Sequence, residues 1–160
     1  MTVETPEAKM WEMIDHIRVA MMTTRNGEQL QSRPMNAYVD RDHKKVYFIT
    51  PLDTEKAHEI GAGDSVNLAF VERSTETYVS VEGHARVMRD ETLQKKLWNA
   101  YAEAWLPQGP SSPDVGLIEV TPTEATYWNS PSSKLVQLWK VGVANVLQAP
   151  PKNEVEHISL

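Results

Sequence analysis

Residues 78–88 read Tyr-Val-Ser-Val-Glu-Gly-His-Ala-Arg-Val-Met and alternate cleanly. Val79, Val81, Gly83, Ala85 and Val87 fall on one face; Tyr78, Ser80, Glu82, His84 and Arg86 fall on the other. A period of two is the signature of a half-buried strand. Upstream, Ser65–Val71 is a second apolar run, separated from the first by the polar turn Arg73–Glu76. Two strands joined by so short a turn must run antiparallel.

The same grammar extends outward. Lys45–Thr50 reads as a strand, and Gln29–Val39 as another, preceded by Arg18–Thr24 across Asn26-Gly27. Asn-Gly is a strong hairpin signal because both residues tolerate positive φ. Pro34 lacks an N–H, so it marks an edge, a bulge or a place where pairing stops. Thr5-Pro6-Glu7 supplies an N-cap, a first-turn proline and a first-turn acid for a helix from Pro6 to about Asp15. Thr54–Ile60 predicts one or two helical turns closed by Gly61. Downstream, Asp90 caps a helix over 91–105 with Leu93, Leu97, Trp98, Tyr101 and Trp105 as its apolar stripe. Leu106–Asp114 is a Pro/Gly/Ser-rich loop. Val115–Val120 is the sixth strand, with Ala125–Trp128 as its extension past Pro122, and Ser132–Trp139 reads as a last helical turn. The expected fold is α+β: a six-stranded antiparallel sheet closed into a split β-barrel and flanked by helices. One domain is expected over 1–148, with 149–160 as a disordered tail after Pro150-Pro151.

Composition narrows the chemistry. The 160 residues are 41% hydrophobic and 24% charged, with a net charge of −6 and no cysteine. Thiolate catalysis, disulfides and cysteine metal sites are excluded. The acidic balance, without a Lys/Arg cluster, argues against nucleic acid and anionic membranes as partners. No run approaches the roughly 20 apolar residues of a membrane helix, and Glu4 and Glu7 interrupt any signal-peptide pattern, so a cytoplasmic location is expected. There is no GxGxxG, GxxxxGK, GxSxG or HExxH, and the five histidines have no zinc-like spacing, so no metal site is expected. Chemistry would have to come from a bound cofactor.

Two features could hold one. In Gln31-Ser32-Arg33-Pro34-Met35, Arg33 sits beside a proline in mid-strand, where its guanidinium could fork onto a phosphate. The same pattern suits an exposed strand arginine at an edge. At Ile49-Thr50, followed by Thr54-Glu55-Lys56, hydroxyls, a helix start and a lysine could add further anion donors. The same residues also make a simple N-cap with a solvated lysine. The two features fall on segments expected to be adjacent antiparallel strands, so they could converge.

These segments, taken in order with Tyr78–Ala85, Trp98-Asn99, Trp105-Leu106-Pro107-Gln108-Gly109 and Ala125-Thr126-Tyr127-Trp128-Asn129-Ser130-Pro131, resemble the pyridoxamine 5′-phosphate oxidase-like superfamily of FMN-binding split barrels, in its general stress protein branch. The resemblance implies a homodimer with FMN at the interface. It implies that Arg33 and Lys56 grip the phosphate, and that Ser32, Pro34 and Met35 run beneath the ring with their backbone groups. Ile49 and Thr50 would line the pocket, Trp128 of the second copy would lie near the ring, and Trp105 would face the pocket unless it packs in the core. FAD, haem or a deazaflavin could use the same cleft. The oxidase proper carries an Arg-x-His segment near its C-terminus, where this chain reads Asn129-Ser130-Pro131-Ser132-Ser133-Lys134-Leu135. Three functions are therefore open: a flavin-dependent oxidoreductase of unknown substrate, a pyridoxamine phosphate oxidase with a rearranged site, and a cofactor-free stress or interaction module.

Overall fold

The computed structural model describes residues 3–60, 63–130 and 154–160; the side chains of Glu55 and Lys56 lie outside that description, as do residues 132–139, where a last helical turn is expected. Helix α1 (Pro6–Ile17) starts as its sequence requires, with the Thr5 hydroxyl accepting the Ala8 N–H at 3.1 Å. Its apolar stripe buries Met10, Trp11 and Ile14 in the core. Full burial of such side chains is worth roughly 1.5–3 kcal/mol each.

The sheet comprises β1 (Val19–Asn26), β2 (Gln29–Asn36), β3 (Tyr38–Asp40), β4 (Lys45–Pro51), β5 (Asp64–Glu72), β6 (Thr77–Met88), β7 (Val115–Asn129) and β8 (Glu154–Ser159). Its order is β2-β1-β5-β6-β7-β4-β3, with β8 beside β7, and every pairing is antiparallel. The class is the expected one, with eight strands rather than six. The two additions have separate causes. Gln29–Val39 is divided at Ala37, which is buried and donates its N–H to Arg18 O at 2.7 Å. There the chain leaves β1 and joins β4 as β3.

The second addition corrects the expected disordered tail over its described part: Glu154–Ser159 pairs with β7, from Asn129↔Glu154 to Glu124↔Ser159, while residues 149–153 lie outside the described residues. Only Ile158 of β8 reaches the core, so the segment carries almost no hydrophobic periodicity of its own.

β2 and β3, consecutive in the chain, occupy opposite ends of the strand order. The bend at Ala37 therefore brings the two edges of the sheet around to meet, which rolls the sheet into a barrel. Inside lie Met22, Val46, Phe48, Leu68, Phe70, Val79, Val81, Ile118 and Val120. The inward set of β6 is the one its alternation predicts.

β7 serves different neighbours along its length. Val115–Val120 pairs with β4, and Glu124–Asn129 pairs with β8 on the same edge, while β6 runs along the other side. The changeover coincides with a bulge. Glu82 faces Glu124 and Gly83 faces Pro122, so Thr123 is the extra residue. Its carbonyl accepts the Leu160 N–H at 2.9 Å, which ties the end of β8 to the bulge.

The helix expected over 91–105 is two helices, α3 (Glu91–Leu97) and α4 (Ala100–Trp105). Asn99 breaks it by capping α4: its Oδ1 accepts the Ala102 N–H at 2.9 Å. Between β4 and β5 lies α2 (Glu55–Glu59), only five residues long. Among the described residues, no helix is long and apolar enough to cross a membrane.

Candidate functional site

The barrel is not zipped all the way round. β3 pairs with β4 at Tyr38↔Tyr47, Val39↔Val46 and Asp40↔Lys45. Continuing that register upstream of Ala37 would set Asn36 against Ile49, Met35 against Thr50 and Pro34 against Pro51. Among the described residues no such ladder forms: β2 pairs with β1 alone, and beyond Tyr47 β4 has a strand only on its β7 side. Two prolines facing one another cannot donate to a ladder, which explains why the seam opens there. The result is a split flanked by the free edges of β2 and β4. The two sequence features thus lie on opposite lips of one split, and not on hydrogen-bonded neighbours as expected.

Along β2 the side chains alternate. Ser32 and Pro34 point outward, with Ser32 Oγ 2.6 Å from Thr23 Oγ1. Met35 packs against the core. Arg33 points the other way, opposite Met22 of β1, and its side chain is one-fifth exposed (21%). Nη1 donates to Thr24 Oγ1 at 2.9 Å, and Nη2 donates to Gln31 Oε1 at 2.9 Å and to Glu59 Oε2 at 3.3 Å. Arg33 is therefore neither a free surface cation nor an isolated one. Its partners come from β1, from its own strand and from the last residue of α2. Sequence reasoning missed Thr24, Gln31 and Glu59; Glu59 is 26 positions from Arg33, and no local pattern joins them.

On the other lip, Ile49 is half-buried and Thr50 is fully buried. The Thr50 hydroxyl donates to Pro51 O at 3.2 Å, and that of Thr54 donates to the same oxygen at 3.1 Å while accepting the Ala57 N–H at 3.4 Å. The Thr50 hydroxyl is thus spent on a neighbouring carbonyl and not turned to the split. The backbone of Lys56 lies in the first turn of α2, one turn before Glu59.

The tryptophans also separate. Trp105, at the end of α4, is 71% exposed, which removes the core-packing alternative for it. Its ring lies tilted by 45° to that of Tyr101, with centroids 6.2 Å apart. Trp128 is 40% exposed on the outer face of β7, between Tyr78 of β6 and Val155 of β8. Val71 of β5 continues that row. Together with Val19, Met21 and Leu30 on β1 and β2, these residues make one outward sheet face rich in exposed apolar side chains.

At the closed end of the split, Tyr38 donates from its hydroxyl to Asn99 Oδ1 at 3.3 Å, and burial raises its phenol pKa. Behind it, Tyr47 is pushed up to about 12 by burial and by Glu119, whose carboxylate accepts its hydroxyl at 3.2 Å and the Arg86 Nε–H at 2.8 Å.

Comparison with known proteins agrees with this architecture. The family model described as pyridoxamine 5′-phosphate oxidase like matches residues 5–152. Protein bli-3 of Neurospora crassa is 29% identical over 121 residues, covering 69% of this chain and 58% of that protein, so the chain spans less than two-thirds of that relative's length. Among solved structures, the general stress FMN/FAD binding protein of Xanthomonas citri superposes with a TM-score of 0.70 at 28% identity, over 78% of this chain and 89% of that one. General Stress Protein 26 of Bacillus anthracis gives 0.67 at 25% identity, over 76% and 92%. A candidate general stress protein 26 of Jannaschia sp. shares the fold over 95% and 96% of the two chains, with a TM-score of 0.79 at 20% identity. A family match over nearly the whole length, together with a barrel split at the same segments that carry the sequence resemblance, shows that this chain belongs to the pyridoxamine 5′-phosphate oxidase-like family.

Proposed function

We propose that this protein is a flavin-binding protein of the general stress type, taking FMN in the split between β2 and β4. The observation that carries the reading is the split itself. Two free strand edges offer unpaired backbone donors and acceptors to one side of a flat polar ring. Beside them stands a partly buried arginine, whose Nε–H is engaged by none of the partners described above. That donor set suits a flavin carrying a terminal phosphate, and the X. citri neighbour is described as binding FMN or FAD. In this reading Arg33 and Lys56 bind the phosphate, the backbones of Ser32–Met35 and Ile49–Thr50 meet the ring, and a bound flavin supplies hydride or electron transfer. The protein holds the ring in place and keeps water from it.

The outer face of β1, β2, β5, β6, β7 and β8 supports a homodimer. Contiguous exposed apolar patches on soluble proteins mark interaction sites, and an isologous pair covers such a face twice with one surface. Across that pair, Trp128 of one copy would approach the flavin of the other, and Trp105 stands free to do so as well.

The test is a double substitution, Arg33→Ala with Lys56→Ala. Charge-assisted hydrogen bonds contribute roughly 1.5–3 kcal/mol each, so losing two cations should cost at least a hundredfold in FMN affinity. The variant should purify colourless while eluting as the same oligomer. Retention of FMN at the wild-type ratio would overturn the assignment.

A further inference from the structure

The flavin reading asks Arg33 for a positive charge that a carboxylate of the same chain already holds. Glu59 closes α2 with its side chain 6% exposed. Its Oε2 accepts from Arg33 Nη2 at 3.3 Å and from Thr24 Oγ1 at 2.9 Å, and its Oε1 accepts from Asn26 Nδ2 at 3.4 Å. Thr24 bridges the pair, since its oxygen also accepts from Arg33 Nη1. A carboxylate this buried requires partners, and among the described residues its cationic partner is the one that would receive a phosphate.

We infer that Glu59 is a built-in counter-anion that competes with the flavin phosphate for Arg33; the inference rests on the flavin reading above. A phosphate arriving at Arg33 either displaces the carboxylate or lies close to it. Displacement leaves a buried carboxylate short of partners, and proximity sets two anions on one cation. Both reduce affinity, and both scale with the charge the ligand brings. Glu59 therefore acts on phosphorylated flavins and leaves the uncharged vitamin form untouched. It also keeps Arg33 compensated while the site waits for its ligand.

The experiment compares Glu59→Gln with the wild-type full chain, titrating flavin-stripped protein with FMN and, separately, with riboflavin. Glutamine keeps the size and the acceptor oxygen but removes the charge. FMN should bind roughly tenfold tighter to the variant, between the few-fold worth of an exposed ion pair and the larger effect of a buried one. Riboflavin affinity should stay within about twofold. Unchanged or weaker FMN binding by Glu59→Gln overturns the competition, and so does equal tightening of riboflavin, because the effect would then lie away from the phosphate. If neither protein binds FMN, the flavin reading itself fails and this inference falls with it. Should Glu59→Gln not fold, Glu59→Asp draws the carboxylate back by one methylene; about twofold to threefold tightening of FMN is then expected, and no change overturns the proposal.

Discussion

Gly83 gives the sharpest test of how the barrel is held. It sits on the buried face of β6 at the bulge, directly opposite Pro122 of β7. A Cβ placed there would stand 2.6 Å from Thr121 O, 3.0 Å from Thr121 C and 3.1 Å from Pro122 Cα. Ordinary carbon contacts lie at about 3.5–4.0 Å, so Gly83→Ala must open the two strands by up to about an ångström. Every atom in the way is backbone, and its ladder continues through Val81↔Ala125 and Ala85↔Val120, both buried pairs. Overpacking of this kind costs roughly 1–3 kcal/mol. The reduced entropy of the unfolded alanine chain returns only about 0.4–1 kcal/mol, and in full only where the native conformation is unstrained. A net loss of about 1–2 kcal/mol remains. For a chain of this length that lowers the melting temperature by roughly 2–8 °C. Thermal unfolding followed by far-ultraviolet circular dichroism measures it, with urea midpoints as a second scale. A Gly83→Ala protein that melts with the wild type, or above it, would show that β6 and β7 are not in close backbone contact at the bulge.

Three further outcomes follow from the structure. Gln94 of α3 is fully buried; its Nε2 donates to Pro110 O at 2.9 Å and Val115 O at 3.3 Å, and its Oε1 accepts the Asp90 N–H at 3.0 Å. Gln94→Ala should therefore cost about 2–4 kcal/mol, measured by urea unfolding, because three polar backbone groups lose their partner. Tyr47 and Tyr127 are both raised to about 12, chiefly by burial and then by Glu119 and Glu154 respectively, so the folded state holds protons that the unfolded chain releases above pH 10. Stability is thus intact below pH 10 and falls between 10 and 12; phenolate absorbance should rise in two phases, and all five tyrosines titrating together in folded protein would refute this. Tyr78→Asp combined with Trp128→Asp places charge in the outer apolar row and should convert the proposed dimer to monomer in sedimentation, without loss of strand content; unchanged sedimentation would remove that face as the interface.

Much of the fold is legible because its signals are local. The alternation of Tyr78–Met88, the Asn26-Gly27 turn and the Thr5 cap each concern residues within a few positions, and each element forms where it is read. The errors arise where a distant partner decides. Glu154–Ser159 becomes a strand because the second half of β7 has an edge to fill, although the segment has one core-facing residue. The apolar stripe from Leu93 to Trp105 looks continuous, but the Asn99 side chain competes for the backbone and starts a new helix. For the site, sequence locates both lips of the split, since an arginine beside a proline and a strand end beside a lysine are visible in one dimension. The carboxylate on Arg33 is not visible, because only the folding of α2 onto β1 brings Glu59 there.

The placement of β7 has a consequence for biosynthesis. β4 and β6 are both complete by Met88, yet the strand that lies between them begins only at Val115. A nascent chain emerging from the ribosome thus carries two finished segments whose facing edges stay open until some forty more residues appear. Docking of β7 must then knit both sides at once, late and over large sequence separations, which makes that step the natural bottleneck of folding. Before it, the half-made sheet is what a chaperone would have to shield.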